Sequence, residues 1–145
     1  MNVESEIKPL INRLNTTLNE IVKQLEGKVN VIYILHGDWT QRNPDYEEYH
    51  GFLLPEEEHR ELYSIVRKLL DIAEYQYNSL EVYATIEDGI TLSWFEDVEN
   101  QYGRTVGTNY YCLPLLFIIE RAKEKAEEYS ISKLKESLTK MLSEL

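Results

Sequence analysis

The sequence predicts an α+β domain with a mostly antiparallel sheet, built from two hairpins with helices on one face, in the order α-β-β-α-β-β-α-α. Three observations carry this. Apolar residues recur at three- and four-residue spacings in the N-terminal stretch, after Pro55 and towards the C-terminus, which is the signature of amphipathic helices. Two stretches change to β-branched and aromatic composition around turn-forming residues, as hairpins do. The 145 residues, 43% of them hydrophobic and 11% aromatic, suffice for one core, so residues 1–145 form a single domain.

The first helix, residues 4–26, places Ile7, Leu10, Ile11, Leu14, Leu18, Ile21, Val22 and Leu25 on one stripe. Pro9 suits only a first turn, so the helix can begin nearer Ile7, and Gly27 is its stop signal. Residues 28–38 read as a strand, residues 39–45 as a loop with an Asn43-Pro44 turn, and residues 46–54 as the returning strand. Pairing Ile32 with Leu54, Ile34 with Phe52, His36 with His50 and Asp38 with Glu48 sets apolar against apolar.

Pro55-Glu56-Glu57-Glu58 is a helix start, with proline in the first turn and carboxylates at the positive end of the dipole. Leu62, Ile65, Val66, Leu69, Ile72 and Ala73 continue the stripe, and this helix should end near Tyr77-Asn78. Residues 80–86 and 90–94 form the second hairpin. A two-residue Asp88-Gly89 turn would mix apolar and polar positions on each face. A three-residue Glu87-Asp88-Gly89 turn pairs Ile86 with Ile90, Ala84 with Leu92 and Val82 with Trp94, and is preferred for its continuous apolar face.

Residues 96–109, with Gly103 and Gly107 and no apolar period, read as a long surface loop. Residues 110–129 read as a helix, with a strand over 110–119 as the alternative. Ser130 then caps a last helix with Leu134, Leu138, Met141, Leu142 and Leu145 on one side, which can pair with a second copy as a homo-oligomer.

Charge is unevenly placed. Of 26 acids and 15 bases, fifteen acids and three bases (Arg60, Arg67, Lys68) lie between Asp45 and Glu99, a net −12 within a chain of −11. Such a surface repels phosphate backbones and attracts a basic partner, so direct nucleic acid binding is not expected; acidity serving solubility alone is the competing account. One Cys, an acidic N-terminus without a secretion signal and no apolar run long enough for a membrane span point to the cytoplasm, with no membrane partner.

Catalytic signatures are missing. No nucleophile elbow, Walker loop, dinucleotide fingerprint, Cys-x-x-Cys or His-Glu-x-x-His occurs, so a non-enzyme without cofactors is expected. In the first-hairpin register above, His36, Asp38, Glu48 and His50 share a face and could hold a divalent metal for a metal-dependent enzyme; polar residues at the wet end of a hairpin are the preferred account. His59, flanked by Glu56 and Glu58, reads as a solvated surface histidine, and Cys112 as a buried small hydrophobe.

The partner-binding residues inferred from aromatics ringed by carboxylates are Trp39, Asp45, Tyr46, Glu47, Glu48, Tyr49, Glu96, Asp97, Glu99 and Tyr102. Tyr63, Tyr75 and Tyr83 are assigned to the core instead. Arg104, the only base between Lys68 and Arg121, could clamp a phosphate or carboxylate together with Tyr110 and Tyr111, making the protein a sequestering protein for a nucleotide-like signal. A surface pair of Arg104 with Glu99 or Asp97 is preferred.

Helix, hairpin, charged helix and a hairpin ending in Leu92-Ser93-Trp94-Phe95-Glu96-Asp97 is an arrangement similar to a family of small acidic bacterial immunity proteins that neutralise polymorphic toxins, many of them nucleases. The similarity covers residues 7–97 in architecture and leaves out the two C-terminal helices. It implies an inhibitor that occludes the basic active site of a toxin. The expected function is therefore an acidic binding protein that neutralises a basic protein, as a toxin immunity protein or as a phage-type inhibitor of a host defence nuclease.

Overall fold

The computed structural model describes residues 3–27, 55–85 and 89–145. Among them the chain is α+β, with three helices and a three-stranded antiparallel sheet. The predicted first hairpin, residues 28–54, lies outside the described residues.

Helix α1, Val3–Leu25, buries Ile7, Leu10, Leu14 and Ile21, as its periodicity predicts. It starts before Pro9, correcting the later start: proline sits inside the helix on an exposed position, at the loss of one backbone hydrogen bond. Gly27, at φ +79°, takes the left-handed conformation that ends helices.

Helix α2, Glu56–Ile72, buries Leu62, Ile65, Val66, Leu69 and Leu70. It stops short of the expected Tyr77-Asn78. Tyr75 N–H donates to the Leu70 carbonyl (3.0 Å) and Glu74 N–H to the Asp71 carbonyl (3.1 Å), while Glu74 adopts φ +65°. This is a Schellman ending with glutamate in the position glycine usually takes, so no glycine announces it. Lys125 reaches Glu74 at 3.2 Å from the last helix.

Strands β1 (Asn78–Thr85), β2 (Gly89–Glu99) and β3 (Thr105–Pro114) form a meander in that order. The β1–β2 register pairs Val82 with Leu92 and Ala84 with Ile90, two residues from the expected register with Val82 opposite Trp94. A shift of two keeps every side chain on its face, so hydrophobic alternation does not distinguish the two alignments. At the far end Ser79 and Leu80 together face Trp94, and Ser79 has φ +51°: a bulge that turns the strand while keeping Leu80 in the core.

The expected loop at residues 96–109 is instead the paired outer half of β2 and β3, and residues 110–114, given first to a helix, belong to β3. Helix α3, Leu115–Glu144, begins after Pro114 and runs unbroken through Ser130, so the two predicted C-terminal helices are one. It buries Leu115, Ile118, Ala122 and Ala126 against the body. Further on, Ile131, Leu134, Leu138, Met141, Leu142 and Leu145 are exposed.

All three helices pack on one another, and the sheet contributes Leu80, Val82, Leu92 and Trp94 to the same core from one face. His59 is only 4% exposed and stacks with Tyr63 at 6.4 Å, which corrects its reading as a solvated histidine. It shares the buried stripe of α2 with Leu62 and Val66, one and two turns on. Cys112, expected inside, is exposed: it alternates with the half-buried Tyr111 and Leu113, and its Sγ meets the Tyr83 hydroxyl at 2.9 Å on the sheet's other face. Tyr63 and Tyr75 do pack against the core.

Candidate partner-binding arm

The outer end of the β2–β3 hairpin is the part of the predicted partner face that the structure describes. Its turn is built by Asn100. The Asn100 side-chain oxygen accepts hydrogen bonds from the Tyr102 and Arg104 amides (2.9 and 3.1 Å), and its carbonyl accepts from Gly103 N–H (3.0 Å). Gly103 supplies φ +76°. Val106 is an extra residue in β3, because Val98 pairs with Gly107 and Glu99 with Thr105. Such bulges increase twist and re-aim neighbouring side chains.

Strand alternation sorts the side chains. Glu96 and Val98 continue the face that carries Leu92 and Trp94, whereas Asp97 continues the face of Phe95 and Tyr110, whose rings lie 6.1 Å apart. Glu96 is anchored: the Tyr111 hydroxyl donates to its Oε1 at 3.0 Å. That bond, with the nearby negative charge and partial desolvation, raises the Tyr111 pKa above the usual phenol value. Tyr111 also stacks on Trp94 at 5.2 Å, and Tyr75 packs edge-on to both at 5.3 and 5.7 Å. The arm is therefore rooted in an aromatic cluster.

Beyond that root the side chains from Asp97 to Tyr110, Asn100 apart, are exposed. They include Tyr102 (78%), Val106 (62%) and Tyr110 (81%). Among the described residues Glu96, Asp97 and Glu99 have no ion-pair partner, and neither has Arg104, so the preferred pair of Arg104 with Glu99 or Asp97 is not formed. On α2, by contrast, Glu56 is bridged to Arg60 (3.0 Å) and Glu61 to Arg13 (2.8 Å). Ion pairing thus holds Glu56 and Glu61 of α2, while Glu57, Glu58 and Asp71 on that helix and Glu96, Asp97 and Glu99 on β2 form none among the described residues.

Of the predicted partner-binding residues, Glu96, Asp97, Glu99 and Tyr102 come together on this arm. Trp39, Asp45, Tyr46, Glu47, Glu48 and Tyr49 lie outside the described residues, as do His36, Asp38 and His50 of the metal reading. Among the described residues no group of three His, Cys, Asp or Glu side chains is placed to hold a metal ion. Arg104, Tyr110 and Tyr111 do not converge on a common ligand position, because Tyr110 and Tyr111 are consecutive in β3 and point to opposite faces. The exposed Val98 and Val106 have no counterpart in the sequence reading, because their spacing in a presumed loop gives no signal; Tyr110, expected beside Arg104 for a ligand, stands exposed on the arm instead.

No helix among the described residues is long and apolar enough to cross a membrane. No family model matches the chain, and no curated protein or solved structure shows significant similarity to it.

Proposed function

We propose that this protein is a non-enzymatic acidic binding protein of the cytoplasm that neutralises a basic protein, as a toxin immunity protein or a phage-type inhibitor of a host defence nuclease. The observation that supports this is the β2–β3 arm: three carboxylates without ion-pair partners among the described residues stand beside exposed Tyr102, Val106 and Tyr110, with Arg104 as the only cation of the hairpin. Aromatic and aliphatic side chains supply contact area that binding removes from water. The carboxylates supply long-range attraction that speeds encounter with a basic surface. The resemblance of the sequence-predicted order of elements to acidic immunity proteins adds to this reading and implies occlusion of a basic active site.

The test compares what the wild-type chain and the triple variant E96K/D97K/E99K retain on an affinity matrix. A basic protein held by the wild type and lost by the folded variant supports the reading. No retained protein, or the same protein held equally by both, contradicts it.

The outer half of α3 supports self-pairing. Ile131, Leu134, Leu138, Met141 and Leu145 follow the three-four spacing of a coiled-coil seam and are all exposed. Residues 130–145 carry three lysines and two glutamates, so two copies of this segment meet without the repulsion that the acidic body imposes. Sedimentation should show a dimer that L138E converts to a monomer; a monomeric wild type excludes it.

A further inference from the structure

Beside its buried stripe α2 carries a second, polar face. Residues 60, 63, 64, 67, 68 and 71 recur at helical spacing and, with Tyr77 from the link to β1, line a cavity of about 370 Å³. Arg60, Arg67 and Lys68 are the only bases between Asp45 and Glu99, so the stretch richest in acid places all of its cations around one concavity.

Arg67 is held in place there. Its Nε donates to the Tyr77 hydroxyl at 3.3 Å and its guanidinium lies 5.9 Å from the Tyr63 ring centre, while the Tyr63 hydroxyl donates to the Leu80 carbonyl at 3.3 Å. The tyrosines restrict the side chain without neutralising it, and they hold its pKa above the usual arginine value. Neither Arg67 nor Lys68 forms an ion pair with a carboxylate among the described residues. Asp71 is the single acid of the lining.

We propose that this cavity binds a small phosphomonoester. Arg60 is already bridged to Glu56, so the binding charge comes from Arg67 and Lys68, which together match a phosphomonoester carrying about −1.5 to −2 at neutral pH, with Asp71 as the lining's opposing charge; a singly charged carboxylate can occupy the Arg67 fork but leaves Lys68 without a counter-charge. An arginine fork grips two phosphate oxygens at once, and an adjacent lysine adds a point charge. Immobilising Arg67 beforehand lowers the ordering cost of binding. The cavity lies near the lower end of the roughly 300–1,000 Å³ found for small-molecule sites and exceeds one phosphate, leaving room for an organic group against Tyr63 and Tyr77. The site lies on α2 rather than the arm, and the inference does not rest on the partner-binding reading, so either can fail alone.

Calorimetric titration of the full chain with phenyl phosphate, in low-salt buffer free of phosphate, tests it. The expected result is saturable binding, displacement by inorganic phosphate, and affinity for benzoate about tenfold weaker or worse. R67Q/K68Q should weaken phenyl phosphate binding about tenfold or more, whereas D71N, by removing the only opposing charge, should tighten it about threefold. A gain in D71N cannot come from structural damage. Absence of saturable binding by either phosphate probe, equal affinity for benzoate, a folded R67Q/K68Q that binds like the wild type, or a D71N that binds no more tightly would overturn the proposal.

Discussion

The β2–β3 hairpin has two ends built from one continuous ladder, and they differ in everything but the backbone. At the inner end the pairs Leu92–Leu113 and Trp94–Tyr111 set their side chains against the helices, and Leu92 and Trp94 are buried. At the outer end, past Glu96–Asn109, the same pairing carries side chains exposed to solvent. The inner end is held by packing; the outer end is held by ladder hydrogen bonds, the Asn100 turn and the Tyr111–Glu96 anchor. An arm that contributes little to the core is free to serve a partner, because its side chains apart from the Tyr111–Glu96 anchor and Asn100 can vary at little cost in stability.

The largest effect separating the two ends should come from Leu92→Ala, which removes a fully buried side chain and should cost about 2–5 kcal/mol in denaturant unfolding. A loss comparable to that of a surface substitution would mean the inner end is not packed as described. Gly103→Ala should cost about 1–2 kcal/mol, purely from the left-handed backbone, since an added Cβ meets no atom within 4 Å. Equal stability of this variant would show that the Asn100 turn relaxes at no cost. At the weak end, Leu138→Ala in the exposed half of α3 should leave monomer stability within about 0.5 kcal/mol, measured at concentrations too low for self-pairing.

The smallest effect concerns pH. Tyr111 has a raised pKa because Glu96 accepts its proton-bearing hydroxyl, so its contribution to stability is complete below about pH 10, the unfolded phenol value, and is lost as pH rises through the folded value. The stability difference between wild type and Y111F should therefore be constant up to that point and shrink above it in urea titrations. A difference that shrinks below neutral pH would assign the anchor to a different protonation equilibrium.

The same contrast explains what could be read from residues alone. Helix α1 and the stripe of α2 were legible because a half-buried helix writes its period into the sequence. The class of fold, α+β with antiparallel strands, follows from the turn-forming Glu87-Asp88-Gly89 and the flanking β-branched residues. The outer half of β2–β3 reads as a loop in the sequence because a strand exposed on both faces shows no alternation, and only its ladder reveals it. The end of α2 was missed because Glu74 fills a glycine position. Ser130 looked like a cap, but a serine within a long helix is tolerated. The cations of the α2 cavity are the exceptions in an acidic stretch, and their i, i+7 and i+8 spacing, with Tyr63 between them, is the signal that they share a face.

On the proposed function, the carboxylates of Glu96, Asp97 and Glu99, none of them ion-paired among the described residues, draw in a basic partner. The direct measurement is the association rate of the captured protein with wild type and with E96Q/D97N/E99Q, at low and high ionic strength. The wild-type rate should fall about tenfold or more as salt rises, and the variant should be slow at low salt while remaining folded, its stability loss limited to about 0.5–1.5 kcal/mol from a weakened Tyr111–residue 96 bond. Equal rates for the two proteins at low salt would contradict it.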